Sequence, residues 1–296
     1  MSDSEAHFCC PSCNRLVLKG SSFCKVCGQV FERGDLKPCA LCLEFKDLKR
    51  SHAIPNSVFK KLFNRGGGQA IVVNNDVETY AKRTNDSWWE HQLCLGCERH
   101  LNESYEEYSL LFLRGKRGKK IEHDRDITFS EVDITKIQLF ILSIFWRAAN
   151  SEDLAYSHIF IPEPWNNELR EYIFKKQPVP LNLVTVKISY LTYEGSNGDY
   201  SEKVAKGIIP SPFSRRLPYS RFSFCFLIEG FFIEFFTPGF GFKRVGVINP
   251  KKNILVVPFI DLLDIPEFVQ GITMGIKKGF KEKAKGTHCV SFEVNE

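Results

Sequence analysis

The sequence predicts an α+β protein of three parts: a small cysteine-rich ribbon, a second cysteine-anchored finger, and a C-terminal antiparallel β-rich domain with a buried helix. Three observations support this prediction. Eight of the eleven cysteines form four Cys-x-x-Cys pairs, and all four pairs lie before residue 98. Residues 134–148 are apolar on nearly every side at helical spacing, which is typical of a buried helix. Beyond residue 178, short aromatic-rich runs alternate with turn residues, which is typical of strands.

Length and composition place the chain among folded globular proteins. Its 296 residues are enough for more than one domain, and we place the domains at 1–34, 35–126 and 127–296. With 43% hydrophobic and 25% charged residues, the chain is not of the disordered class. The net charge of +5 is compatible with nucleic acid as a partner but does not by itself indicate one. The first residues, MSDSEAHFCC, show no signal peptide, so a reducing cytoplasmic location is expected.

The first two cysteine pairs predict a zinc ribbon. Cys10 and Cys13 are separated by ten residues from Cys24 and Cys27, and Gly28 follows. Two thiolates from one tight turn occupy two corners of a tetrahedron, so two such turns complete a zinc site. A hairpin this small has too little core to fold without the metal. Pairing of Cys10 and Cys13 with the next pair along the chain is the alternative, but the short loop closes at a lower entropy cost.

The third and fourth pairs predict a second structural zinc site. These pairs are Cys39 with Cys42 and Cys94 with Cys97. Because four thiolates leave no ligand position for a substrate, the site is expected to be structural. Between the two pairs, His52 lies just before a turn at Pro55. The zinc site would then hold the strand that carries this histidine.

These features resemble the H-N-H nuclease family, whose fold is a ββα-metal finger. The resemblance covers residues 36–112 and rests on the first of these Cys-x-x-Cys pairs, the H-x-I-P context of His52, and the second pair, which begins a helix. Segments 51–55, 93–98, 105–108 and 143–148 also resemble uncharacterised bacterial H-N-H-like proteins. The resemblance implies a zinc-anchored finger that pins the strand carrying His52 against the helix near Cys97.

The same resemblance implies a metal-dependent endonuclease that cleaves the phosphodiester bonds of nucleic acid, with DNA as the expected substrate and defence against phage as the expected setting. In the family, the histidine that corresponds to His52 is the general base, and a divalent cation, Mg²⁺ or Mn²⁺, stabilises the leaving oxygen. Glu98 follows the last cysteine, where the family has His or Asn. This glutamate is therefore the candidate ligand of the catalytic cation.

Two further departures from the family pattern bear on activity. Ser51 precedes the histidine, where the family has an acid or another histidine. A tryptophan pair at 88–89 occupies the region of the usual asparagine, for which Asn74, Asn75 or Asn85 can substitute. The alternative function is therefore a catalytically inactive zinc finger that binds nucleic acid or docks to a protein.

In that alternative, the two candidate catalytic residues have ordinary structural roles. His52 is then a turn histidine whose ring bonds a backbone carbonyl. Glu98 is then a favourable acid in the first turn of a helix, where it complements the helix dipole.

A basic loop at 114–120 predicts contact with nucleic acid. Flexible cations neutralise a phosphate backbone without reading bases. A solvated loop is the alternative interpretation. The candidate contact residues are Arg114, Lys116, Arg117, Lys119 and Lys120.

The C-terminal part predicts a β-rich domain built on the buried helix. That helix is too short for a membrane span, and Glu234 interrupts the later aromatic run, so no membrane partner is expected. A hairpin is predicted at 222–237 with Glu229 and Gly230 at its turn, and a final helix begins at Asp264. Further strands are predicted at 179–193, 205–209, 242–248 and 254–257. We expect this domain to contact the substrate or a protein partner.

Overall fold

The chain is mixed α+β, with a large mixed sheet and few helices in its described part. The computed structural model describes residues 7–10, 12–18, 24–29, 37–65, 70–73, 81–192, 208–218, 221–240, 244–267 and 269–270. The helices are α1 (Asn56–Arg65), α2 (Leu95–Leu101), α3 (Glu107–Leu113), α4 (Ile134–Ala149) and α5 (Trp165–Lys175). A π-helical turn, Asn102–Glu106, joins α2 to α3.

The strands of the described residues form four sheets. In chain order they are β1 (His7–Cys9), β2 (Leu16–Leu18), β3 (Leu48–His52), β4 (Ala70–Val73), β5 (Ala81–Thr84), β6 (Trp89–Cys94), β7 (Lys119–Glu122), β8 (Asp126–Ser130), β9 (Thr185–Thr192), β10 (Ile208–Pro210), β11 (Phe213–Leu217), β12 (Arg221–Ile228), β13 (Phe231–Thr237) and β14 (Ile254–Asp261). β1 pairs with β2, β3 pairs with β6, and β10, β4 and β5 form a small sheet in that order. The large sheet has the order β11-β12-β13-β9-β14-β8-β7.

The large sheet is mixed rather than antiparallel, which corrects the prediction from sequence. Its neighbouring strands are antiparallel except β9 and β14, which run parallel with Tyr190 beside Phe259. The reason is topological. After β9 the chain builds β11, β12 and β13 on one side of it, and then crosses to the other side to form β14 in the same direction. Parallel neighbours need such a long crossover, and no local pattern marks where the chain returns.

The predicted hairpin at 222–237 is confirmed as β12 and β13. Ile228 pairs with Phe231, so the turn contains only Glu229 and Gly230. These two residues have φ values of 53° and 86°. Positive φ at both central positions is the type I′ turn, whose twist matches that of the flanking strands.

The carboxylate of Glu229 fastens this turn to the helices that precede the sheet. It forms ion pairs with Lys61 of α1 and with Arg114 at the end of α3. The Glu229 side chain is buried, so the two cations supply the charge that its burial requires. The hairpin of the large sheet is therefore tied to the finger region.

The predicted buried helix is confirmed as α4. Asp133 caps it, because its Oδ1 accepts the N–H of Lys136 at 2.9 Å. The ring of Phe145 stacks on that of Phe235 in β13 with centroids 4.5 Å apart. The helix therefore lies against the large sheet. Among the residues described, no helix combines the length and apolarity that crossing a membrane requires.

One hydrophobic core runs through residues of the second and third predicted domains. It extends from Cys39, in the finger region, to Val257 of β14. β7 pairs with β8 across the position where we placed the boundary between these domains, at 126. The ribbon has a separate small cluster around Cys10, Val17 and Cys24.

Some elements were not expected, and some expectations cannot be compared with the structure. The helix α5 does not stand out in the sequence, because only Leu169 and Ile173 of its residues are buried. The greater part of the predicted final helix from Asp264 lies outside the described residues, as do Asn74 and Asn75.

Candidate functional site

The four cysteines of the ribbon converge on one point. The sulfur of Cys10 lies 3.6 Å from that of Cys27, and the sulfur of Cys13 lies 3.6 Å from that of Cys24. All four sulfurs lie within 4.8 Å of one another. A tetrahedral zinc ion with Zn–S bonds of about 2.3 Å needs sulfur–sulfur edges of about 3.8 Å. The predicted pairing is therefore confirmed, and this group can hold a structural Zn²⁺.

The second cysteine group joins the two distant pairs as predicted. The sulfurs of Cys42 and Cys94 lie 3.9 Å apart, and the group again fits within 4.8 Å. Cys39 accepts the N–H of Cys94 at 3.3 Å. The hydrogen bond from the Cys97 thiol, with others from backbone amides, lowers the pKa of Cys39 to about 4 although burial opposes it. Because zinc binds the thiolate, this group also can hold a structural Zn²⁺.

Three of the four cysteine turns share one backbone geometry. In each, the residue four positions after the first cysteine donates its N–H to that cysteine's carbonyl, at 2.8, 2.9 and 2.8 Å. These residues are Asn14, Gly28 and Leu43, with φ values of 57°, 74° and 63°. The fourth turn differs, because Cys94 is the N-cap of α2. A helix N-terminus stabilises thiolates by its dipole.

The second cysteine group anchors a two-stranded ribbon of β3 and β6, which we call the β3–β6 ribbon. Across it, His52 lies opposite Trp89 and Arg50 lies opposite His91. Because side chains alternate along a strand, these four residues share one face, here called the outer face. Three of them are exposed and His52 is half-buried.

His52 ends β3, and its ring is held from one side. The ring nitrogen Nε2 lies 2.9 Å from the hydroxyl oxygen of Ser87. In the same turn, Asp86 accepts the N–H of Trp88 at 3.1 Å, and Trp88 has a φ of 48°. Trp88 is buried, with its ring edge-to-face against that of Tyr156. A buried tryptophan in left-handed backbone conformation therefore fixes the serine that orients the histidine.

The pKa of His52 lies below its ordinary value. Burial is the largest cause, and the positive charges of Arg147, Lys60 and Arg50 add to it, while Asp86 opposes it. The imidazole is therefore neutral at pH 7. A neutral imidazole keeps one nitrogen lone pair that can accept a proton.

The outer face also carries a stacked group that sequence reasoning did not single out. The guanidinium carbon of Arg50 lies 4.2 Å from the ring centroid of Trp89. The ring of His91 meets that of Trp89 edge-to-face, with centroids 5.5 Å apart. In the sequence, Arg50 alternates with His52, and Trp89 alternates with His91. This alternation points to a shared face only when the register between the two strands is known.

The inner face of the β3–β6 ribbon is covered by the end of α4. Ser51 is buried there, and its hydroxyl donates to the Lys49 carbonyl at 3.1 Å and accepts the N–H of Leu93 at 3.0 Å. The side chain of Gln92 donates to the carbonyl of Arg147 at 2.9 Å. The hydroxyl of Ser51 is therefore hydrogen-bonded to backbone groups of the β3–β6 ribbon.

A buried arginine lies at this end of α4 beside Glu106, and Glu98 is close enough to act on the pKa of Glu106. Arg147 is 2% exposed, and its Nη2 lies 3.7 Å from Glu106 Oε2 without a hydrogen-bond partner among the described residues. One carboxylate oxygen of Glu98 is also buried without such a partner in that part of the chain. Burial raises the pKa of Glu106, which the charge of Arg147 opposes and that of Glu98 reinforces. We call these three residues the Arg147 cluster.

The two predicted catalytic residues therefore have different surroundings. His52 lies on the outer face with Ser87, and Glu98 belongs to the Arg147 cluster. Apart from the two cysteine groups, the described ranges contain no set of three His, Cys, Asp or Glu ligands placed to share a metal ion. The hydroxyl of Ser51 is also engaged. The described residues thus offer no group of three such ligands around His52 or Glu98 for the predicted divalent cation.

Four of the five cations predicted to contact phosphate have partners within the protein. The partners are Glu229 for Arg114, Glu131 for Lys119, Glu122 for Lys120 and the ring of Tyr108 for Arg117. Lys116 is exposed. The ion pairs of Lys119 and Lys120 are exposed and contribute little to stability, so these two cations can exchange one anionic partner for another, whereas Arg114 compensates the buried charge of Glu229. Contact between this loop and nucleic acid stays a prediction.

Comparisons with protein-family models, with curated proteins and with solved structures find no match to this chain. What the protein does must therefore be inferred from the arrangement of its own residues.

Proposed function

We propose that this chain cleaves phosphodiester bonds of nucleic acid at the outer face of the β3–β6 ribbon, with His52 as the general base, as in the H-N-H-type endonucleases it resembles. One observation carries the proposal. An antiparallel strand pair leads through Cys94 directly into α2, a four-cysteine group joins these parts, and a neutral histidine stands at the open end of the pair. This is the order of two strands and a helix that the resemblance implies.

The contacts of His52 suit the removal of a proton. If Nε2–H donates to the oxygen of Ser87, the lone pair of Nδ1 stays free. The lowered pKa keeps this nitrogen unprotonated at neutral pH. Nδ1 would then accept the proton of the attacking water or hydroxyl group.

The charges near His52 suit an anionic substrate. Arg50 and Lys60 are exposed, and both are close enough to act on the pKa of the imidazole. Such cations attract a phosphodiester and stabilise the negative charge that grows on its oxygens during cleavage. No step is assigned to Mg²⁺ or Mn²⁺, because the described residues show no group of three ligands for either ion.

A second candidate function is the binding of nucleic acid without cleavage. The inner face favours it, because the hydroxyl of Ser51 bonds backbone groups and Glu106 is paired with Arg147. The outer face would then bind a strand, and His52 would serve only as one of its contacts.

A cleavage assay separates these two functions. Zinc-loaded protein is incubated with plasmid DNA, single-stranded DNA and RNA, each in Mg²⁺, in Mn²⁺ and without either added cation. We expect cleavage of at least one substrate, and a loss of about a hundredfold or more in His52→Ala, since general bases contribute on that order. His123→Ala is the matched control, because His123 is exposed and lies outside the β3–β6 ribbon.

Two results would contradict the nuclease. One is the absence of cleavage under every condition by protein with full zinc content. The other is equal cleavage by wild type and His52→Ala. Binding that persists without cleavage would support the second candidate.

A further inference from the structure

We propose that Arg50, Trp89 and His91 form a stacking platform for an unpaired base, so that the outer face takes single-stranded rather than double-stranded nucleic acid. The choice of nucleic acid as the ligand rests on the proposed function. The platform itself rests on the geometry of the β3–β6 ribbon.

The two neighbouring tryptophans of this ribbon have opposite surroundings. Trp88 is buried and packs edge-to-face on Phe59 with ring centroids 5.1 Å apart. Trp89 is 37% exposed and belongs to none of the hydrophobic clusters found among the described residues. The core therefore does not account for Trp89.

The rings on this face are arranged for stacking. Arg50 is exposed and holds its guanidinium 4.2 Å from the indole centroid of Trp89. His91 is exposed and supports the indole from its edge. Guanidinium and aromatic planes both stack on nucleic acid bases, and they accept any base because each has a π-face.

The strand register places this platform next to the general base. Trp89 lies directly opposite His52, so a base stacked there brings its adjoining phosphate toward the imidazole. Arg50 and Lys60 supply positive charge for that phosphate. In a duplex each base is stacked between its neighbours and offers only its edges, so a platform of this kind selects unpaired bases.

Binding measurements test the platform apart from cleavage. Zinc-loaded His52→Ala protein without added Mg²⁺ or Mn²⁺ is titrated into a labelled single strand of about 12 nucleotides, a length within the usual site size, and into the matching duplex. We expect the single strand to bind at least about tenfold more tightly than the duplex, and Trp89→Ala to remove most of that difference. Trp89→Phe should keep most of it. The control is Phe160→Ala, at an aromatic residue that is 43% exposed and lies outside the β3–β6 ribbon. It should leave the affinities for single strand and duplex unchanged.

The quenching of tryptophan fluorescence gives a second readout. Bound strand should quench the emission of the parent protein and leave that of Trp89→Phe largely unchanged. Tighter binding of the duplex, or equal binding of the single strand by Trp89→Ala and its parent, overturns the platform. Trp89-dependent binding by a wild-type protein that never cleaves keeps the platform and overturns the nuclease. Cleavage that needs His52 but not Trp89 keeps the nuclease and overturns the platform.

Discussion

The Nε2 atom of His52 lies 2.9 Å from the hydroxyl oxygen of Ser87, and this contact joins the end of β3 to the turn that precedes β6. Trp88, buried beside it, keeps that turn in place. The histidine is therefore oriented by a residue far along the chain, which is how a proton acceptor is held in one tautomer.

Removal of this hydroxyl should affect the rate and leave binding unchanged. We expect Ser87→Ala to lower the cleavage rate by about tenfold to a hundredfold, because a misplaced catalytic group loses that much. Ser87→Thr, which keeps a hydroxyl, should lose much less. Rates at saturating substrate and affinity for the single strand are measured for both variants. Equal losses in the two variants would show that the hydrogen bond does not orient the ring.

The lowered pKa of His52 predicts a loss of stability in acid. The folded protein holds the ring neutral, so below the ordinary pKa of 6.5 the unfolded chain binds the proton first. The contribution of the neutral His52 ring to folding stability is fully present above pH 6.5 and is lost as the pH falls through the lower folded pKa.

The measurement for His52 is a comparison with His52→Asn. The free energy of unfolding in urea is followed for both proteins above and below pH 6.5. Wild type should lose more on acidification than the variant, and the difference isolates His52 from His100, whose pKa burial also lowers. Parallel curves would contradict the assignment.

The two cysteine groups should differ in how much of the fold depends on them. The cysteine group of the N-terminal zinc ribbon has only a small hydrophobic cluster of its own, whereas Cys39, Cys94 and Cys97 belong to the main core. We expect two zinc ions per wild-type chain and one in either Cys24→Ser or Cys39→Ser, measured by elemental analysis.

The unfolding of these variants should differ as well. Cys24→Ser should shift the main transition by no more than about 1 kcal/mol, and Cys39→Ser should lower it by roughly 3 kcal/mol or more, since lost metal sites are among the large effects. Equal shifts would mean that the ribbon and the main core unfold together.

Features decided by close neighbours in sequence could be predicted here. The spacing of Cys10 and Cys13 brings two sulfurs to one ion whatever the rest of the chain does. The apolar residues of α4 leave it no exposed face, so its burial follows from its composition. Glu229 and Gly230 fill a two-residue turn between aromatic arms, which specifies a hairpin.

Features decided by distant pairing could not. That His52 faces Trp89 depends on the register between strands separated by a long insertion. A shift of one residue would have put Ser51 on the outer face instead. The position of Arg147 depends on how the end of α4 docks on the inner face, which no local pattern encodes.

The shared geometry of the cysteine turns predicts a substitution that stabilises. Leu43 has a φ of 63° and is 52% exposed, so it bears backbone strain with little packing in return. Leu43→Gly should raise the free energy of unfolding by about 0.5–1 kcal/mol, the strain relieved less the entropy that glycine adds to the unfolded chain.

The equivalent glycine provides the opposite test. Gly28 has a φ of 74°, and a Cβ there would meet nothing within 4 Å, so only backbone strain acts. Gly28→Ala should therefore lower the zinc affinity of the N-terminal zinc ribbon, which a chelator competition measures. A loss of stability in Leu43→Gly together with tighter zinc binding in Gly28→Ala would refute the common geometry.

The Arg147 cluster predicts a coupling between a buried arginine and its glutamate. Arg147→Met leaves Glu106 without its positive neighbour at the end of α4. Breaking a buried ion pair from one side costs about 3–5 kcal/mol, so we expect a loss near the lower end at neutral pH, because the Glu106 side chain is 20% exposed.

The pH dependence and a double-mutant cycle identify the cause of that loss. Burial already raises the pKa of Glu106 above 4.5, so its stabilising form is the protonated one, present below pH 4.5 and lost as the pH rises through the folded pKa. Without Arg147, which opposes this shift, the pKa should rise further, and the variant should regain stability on acidification. In the Glu106→Gln background, where no charge needs compensation, Arg147→Met should cost much less than in wild type. If the loss is the same in both backgrounds, the Arg147 side chain stabilises this end of α4 through its packing instead, because the backbone carbonyl that accepts from Gln92 is kept in the variant.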